Sequence, residues 1–117
     1  MDNVIIKLND FLTLNSGVTP EEGTPVYNSI IEAFKNGKVV TLDFEGISML
    51  TTAFLNVVIG DLYKDYSSEE LKSKLYLVNY SDATAKRIKK VTDNAKLFYK
   101  DESSYKKEVE EVLNGSN

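Results

Sequence analysis

Short apolar runs rich in β-branched residues alternate along the chain with segments whose apolar residues recur every three or four positions. That alternation constrains the fold more than any other feature. Strands separated by helical segments cannot pair through tight hairpins, so crossovers must lay helices over a mostly parallel sheet. Val4–Leu8, Lys38–Phe44, Leu75–Val78 and Lys96–Tyr99 read as the strands. The expectation is one small α/β domain over residues 1–117, with a four-stranded, mostly parallel sheet. The direction of the first strand is left open.

The helices are marked by their punctuation. Thr24-Pro25 reads as an N-cap followed by proline at the first helical position. Val26, Ile30 and Phe34, with Tyr27 and Ile31 beside them, make one apolar stripe, and Asn36-Gly37 closes the helix. Lys38–Phe44 is nearly continuous in its apolar character, as a strand buried on both faces would be. Glu45–Leu50 forms a connection, and Thr51 caps a second helix with Phe54, Val57, Val58 and Leu62 on one side. Gly60 weakens that helix and suits a close approach.

Ser68–Lys72 reads as a helical turn, and Ser81 or Asp82 caps a helix running to Val91. Its inward residues are Ala85, Ile88 and either Val91 or Thr92. Ser103 or Ser104 opens a last helix bearing Tyr105, Val109, Val112 and Leu113, before a frayed end at residues 114–117. Residues 9–24 show no single pattern. Phe11, Leu12 and Leu14 fit an extension of the sheet, whereas Asn15-Ser16-Gly17 and Pro20–Gly23 read as loop.

Two absences narrow the chemistry. Among 117 residues there is no Cys and no His. A disulfide framework, a thiolate nucleophile and the common zinc clusters are therefore excluded, as is the usual general base. The net charge of -4 provides no bulk attraction to phosphate backbones, so nucleic acid is not an expected partner. No run approaches the roughly 20 apolar residues that span a bilayer. The first residues hold no basic leader, so the expected location is the cytosol. Neither cofactor nor metal is expected.

Asp43 is the one carboxylate set into a strongly apolar strand, and burying an acid there requires hydrogen bonds. It reads either as part of a binding site at the strand's end or as an acceptor for amides of the following connection. By spacing, Glu45 lies on the same sheet face and forms a possible carboxylate pair. Lys86, Arg87, Lys89 and Lys90 are the one basic cluster, read as the solvated side of a helix.

The stretch from Val40 to Gly60 resembles the middle of STAS domains, named for sulfate transporters and anti-sigma factor antagonists. It is closest to the bacterial STAS-like family of undefined function. The resemblance rests on Leu42-Asp43-Phe44, Gly46-Ile47, Thr51-Thr52 and Phe54, and extends over about residues 25–113. It implies a partner-switching module whose partner is an ATPase of the histidine-kinase type. It also implies phosphorylation at the start of the second helix. Against the family's Asp-Ser-Ser or Asp-Ser-Thr followed by Gly, this chain has Thr51, Thr52, Ala53 and Phe54. The hydroxyl of Thr52 is the one retained.

The expected function is thus a non-enzymatic regulatory module that binds a protein through residues 47–56. Ser48, Thr51, Thr52 and Asn56 are expected near one exposed corner, and Thr52 is the phosphorylation candidate. The alternative is a small-ligand or nucleotide-binding domain using the same corner. Gly46 and Gly60 are isolated, so no glycine-rich phosphate loop supports it.

Overall fold

A computed structural model describes the backbone of residues 2–113 and the side chains of residues 2–99. The elements run β1 (Asn3–Lys7), β2 (Ser16–Gly17), α1 (Pro20–Lys35), β3 (Val39–Asp43), β4 (Met49–Leu50), α2 (Thr52–Val58), α3 (Ser68–Lys74), β5 (Leu75–Val78) and α4 (Asp82–Leu113). Short 3-10 turns occupy Leu8–Asp10, Thr13–Asn15 and Gly60–Lys64.

The strands form two sheets, not the single four-stranded one expected. β3 lies between β1 and β5, parallel to both, which settles the direction of the first strand. A separate two-stranded parallel ladder joins β2 to β4, Ser16 opposite Met49 and Gly17 opposite Leu50. The expected strand Lys96–Tyr99 is instead part of α4. Four apolar residues are too few to separate a period of two from one of 3.6. Val91 and Ala95 are buried on the inner side of that helix, whereas Leu97 and Phe98 are exposed. The break expected after Val91 is therefore absent, and Ser81 is the residue that caps the helix, accepting the Thr84 N–H at 3.1 Å. Inward positions are Thr84, Ile88, Val91 and Ala95, with Ala85 half-buried. The side chains expected inward from Tyr105 to Leu113, and the tail at 114–117, lie outside the described residues.

The first helix starts five residues before Thr24, at Thr19. The Thr19 hydroxyl accepts the Glu22 N–H at 3.3 Å, and the Glu22 carboxylate accepts the Thr19 N–H at 3.1 Å. This reciprocal capping box, followed by Pro20 at the first helical position, is a stronger start than Thr24-Pro25. Pro25 sits inside the helix, where it removes one backbone donor. Those amides of Thr19 and Val18 hold the Glu22 carboxyl below its ordinary range. At the other end Gly37 takes φ +72° and closes the helix as expected.

Burial alternates along β3. Val40 and Leu42 are buried, with Ile6 of β1 alongside, against Val26, Ile30 and Phe34 of α1. Val39, Thr41 and Asp43 are only half-buried, and Ile5, Tyr76 and Val78 are exposed on that second face. The two-sided burial expected for this strand is thus one-sided. Phe54 is fully buried at the meeting of α1, α2 and β2. A Cβ on Gly17 would lie 2.8 Å from its ring, and one on Gly23 would lie 3.1 Å from its carbonyl oxygen. The second helix ends at Val58, so Gly60 and Leu62 lie past it in the 3-10 turn and not in its interior; an added Cβ on Gly60 would lie 3.4 Å from Val91 of α4, an ordinary contact.

Thr19→Ala should lower unfolding free energy by about 1 kcal/mol, the cost of a lost cap. Thr24→Ala, at an exposed helical position, should change it by less than about 0.5 kcal/mol. Urea denaturation of both variants measures the difference, and equal losses would return the helix start to Thr24.

Candidate functional site

The carboxyl ends of the three parallel strands converge on one polar clasp. Asp43 ends β3, and its Oδ1 accepts the Glu45 N–H at 2.9 Å and the Asn79 side-chain amide at 2.9 Å. Asn79, with φ +62°, follows β5, and the Phe44 N–H donates to the Val78 carbonyl at 3.0 Å. From beyond β1, the Asn9 side chain donates to the Glu45 carbonyl at 2.8 Å. Gly46 takes φ +78°, and an added Cβ there would also lie 2.6 Å from the Asn9 amide nitrogen. This is the crevice where open α/β sheets commonly hold ligands, and here the chain's own groups engage it. Asp43 therefore acts as an acceptor for the following connection. Glu45 lies past the strand's end and is exposed, and its carboxylate is not among the charges acting on Asp43, which include that of Lys7. The Asn79 amide and then the Glu45 N–H hold the Asp43 carboxyl below the usual carboxylate range.

Beyond the clasp the chain crosses to the two-stranded ladder and enters α2. The Ser48 hydroxyl donates to the Asn15 carbonyl at 3.1 Å and lies 3.3 Å from the Ser16 hydroxyl. Thr51 is the N-cap of α2. Its hydroxyl accepts the Phe54 N–H at 3.2 Å and donates to the Val18 carbonyl. Ser48 and Thr51 thus tie the connection to residues 15–18, and both hydroxyls are engaged.

Thr52 begins the helix, half-buried, and its hydroxyl makes no hydrogen bond among the described residues. Asn56 follows one turn later and is exposed, but it borders a groove with Gly60, Asp61 and Asn94 beside α4. Ser48, Thr51 and Thr52 thus lie at the start of α2, and Asn56 is one turn on, on the same side of the helix as Thr52. Burial raises the Asp61 carboxyl, against the opposing pull of Lys64 and Tyr99.

The sequence reading missed the other half of the corner. Leu14, at φ +55°, is 87% exposed, and Val18 and Met49 are also exposed along the same ladder. The Leu14 and Val18 carbonyls accept from Ser16 and Thr51, and Met49 pairs with Ser16, so the hydroxyl-bearing residues have exposed apolar neighbours. Residues 14–18 carry no periodic pattern, and a two-residue strand is below the length that pattern reading resolves. The available signal was Thr19-Pro20-Glu21-Glu22, which fixes the helix start and makes residues 13–18 an approach to it.

The basic residues Lys86, Lys89 and Lys90 are exposed, and Lys89 pairs with Asp93 at 2.9 Å within the same helix. None touches the corner's hydroxyl network. No described helix is long and apolar enough to cross a membrane. The family model for a STAS-like domain of unknown function matches residues 22–85, a span holding Asp43 and Asn79 of the clasp, the connection and all of α2, but not Asn9 or residues 15–18. No curated protein and no solved structure matches the chain.

Because the Asp43 carboxyl is lowered in the folded chain, its stabilisation is full above the unfolded carboxylate range and is lost as pH falls through the folded value. Asp43→Asn should accordingly destabilise the chain at pH 7 and show a smaller further loss on acidification than the parent. Urea midpoints at neutral and acid pH check this. Parallel pH profiles would remove the clasp from the account.

Proposed function

The chain belongs to the family of STAS-like domains of unknown function, and from that premise we propose that it is a non-enzymatic regulatory module that binds a protein partner through residues 47–56. One observation carries the reading. At this corner the structural hydroxyls of Ser48 and Thr51 are engaged, whereas Thr52 keeps a hydroxyl without a partner among the described residues, beside exposed Met49 and Val18. An apolar rim next to an unengaged polar group suits an interface better than a solvated surface.

The resemblance to anti-sigma factor antagonists supplies the class of partner, an ATP-binding protein of the histidine-kinase-like type in the cytosol. It also supplies the regulation, phosphorylation of Thr52. A phosphate there would add a charge of about -1.5 to -2 at neutral pH. The apolar rim would then have to desolvate that charge in a packed interface, which opposes binding. Asn56, one turn beyond Thr52 on the same side of α2, would extend the contact along the helix. Asp43 holds the connection in place and stands outside the contact.

The test is co-purification of an ATP-binding partner from the native host with the parent chain and two variants. Thr52→Ala should retain the partner, because it removes a hydroxyl that holds nothing in the fold. Thr52→Glu should reduce recovery at least several-fold, with an unchanged circular dichroism spectrum. Equal recovery with both variants would remove the switch, and unchanged recovery with Met49→Asp would remove the corner as the interface.

A further inference from the structure

β1 forms one outer edge of the three-stranded sheet, with β3 as its strand neighbour. In a parallel ladder, the residues of an outer strand turn their backbone groups alternately toward the neighbour and away from it. The Val39 N–H donates to the Asp2 carbonyl at 3.0 Å, so the even-numbered residues of this strand face β3. Asn3 and Ile5 therefore present both N–H and C=O to the open side, and Lys7 presents its N–H. The Lys7 carbonyl opens the 3-10 turn at Leu8–Asp10. Among the described residues no other backbone group meets the outward ones.

The usual protections of an edge are a proline, a bulge or an inward charge. This strand reads Asn-Val-Ile-Ile-Lys, and its central Ile5 is 61% exposed. Beside it, between β1 and α1, runs a groove of about 340 Å³. Val4 and Ile6 line its floor. Lys38 lines it next to the start of the strand and Asp10 next to the strand's end.

We propose that a second copy of this chain occupies the edge, pairing β1 antiparallel with β1 of the partner about a two-fold axis at Ile5. In this register Ile5 meets the partner's Ile5, Val4 meets the partner's Ile6 and Asn3 meets the partner's Lys7. Outward residues oppose outward residues throughout. Ile5 N–H donates to the partner's Ile5 carbonyl and Lys7 N–H to the partner's Asn3 carbonyl, each bond occurring twice. Apolar side chains oppose apolar ones on both faces, as cross-strand pairing favours.

Four charged residues line the groove: Lys38 and Asp10 mark its two ends, with Lys7 at the Asp10 end and Glu32 contributed by α1. Reversing the strand brings the Lys38 end of one groove to the Asp10 end of the other, on both sides of the axis. An isologous interface requires such self-complementarity. The result is a continuous six-stranded sheet that removes one free edge from each copy. This inference is independent of the partner proposed for residues 47–56, which lie on a different connection.

Sedimentation equilibrium of the full chain, taken up to millimolar concentration, tests it. The parent should show a monomer–dimer equilibrium. Ile5→Lys should weaken the dimer roughly tenfold or more in Kd, while Tyr76→Lys, on the same sheet face but on the opposite edge strand, should leave it unchanged. Lys38→Glu and Asp10→Lys should each weaken the dimer, and the double variant should restore it. If Ile5→Lys fails to fold by circular dichroism, the charge-reversal set decides. A parent that stays monomeric, as a surface for another protein's strand would, overturns the proposal. So does a dimer indifferent to Ile5→Lys, or a double variant no stronger than the singles.

Discussion

Phe54 holds the structure together where α1, α2 and β2 meet. The ring is fully buried and lies against the bare backbone of Gly17, while the Phe54 backbone lies against Gly23. Any side chain at Gly17 would collide with ring atoms at 2.8 Å. The contact couples three levels of the molecule. It fixes α2 against α1, seats the small β2–β4 ladder beside the main sheet and sets where the connection before α2 can run. Removing a buried Phe ring typically costs about 3–5 kcal/mol, a large fraction of a small domain's stability.

The corner proposed to meet a partner inherits its shape from that contact. Thr51 caps the helix carrying Phe54 and at the same time donates to Val18, just past Gly17. Ser48 makes the matching bond to Asn15 on the near side of Gly17. The connection is thus laced to residues 15–18 at both ends, and the Asp43 clasp fixes its origin. What remains unengaged, the Thr52 hydroxyl and the apolar rim of Leu14, Val18 and Met49, is held on a fixed support. A partner that binds there need not order a loop, and the entropy of ordering is one of the larger costs of association.

Much of this was legible in the residues, and the misses have identifiable causes. The strands at Val4–Leu8, Lys38–Phe44 and Leu75–Val78, the Thr51 cap and the Gly37 terminus followed from β-branched runs and local backbone rules. Each depends on neighbours within a few positions. Thr19 and Glu22 were equally local, but Thr24-Pro25 competed with them, and a reciprocal pair of hydrogen bonds outweighs a single cap. Lys96–Tyr99 failed because tertiary packing of Val91 and Ala95 continues the helix through a segment of strand-like composition. The β2–β4 ladder was not legible at all. Its pairing spans more than thirty positions and depends on Gly17 fitting under Phe54, a contact that no periodicity encodes.

The support of the corner and its freedom to bind are separable by amide hydrogen exchange on the chain alone and in complex with its co-purified ATP-binding partner. Binding should add protection at residues 47–54 and 14–18, with the amides of β3 already protected in both states. Unchanged exchange over those segments, with new protection confined to another face of the molecule, would contradict it.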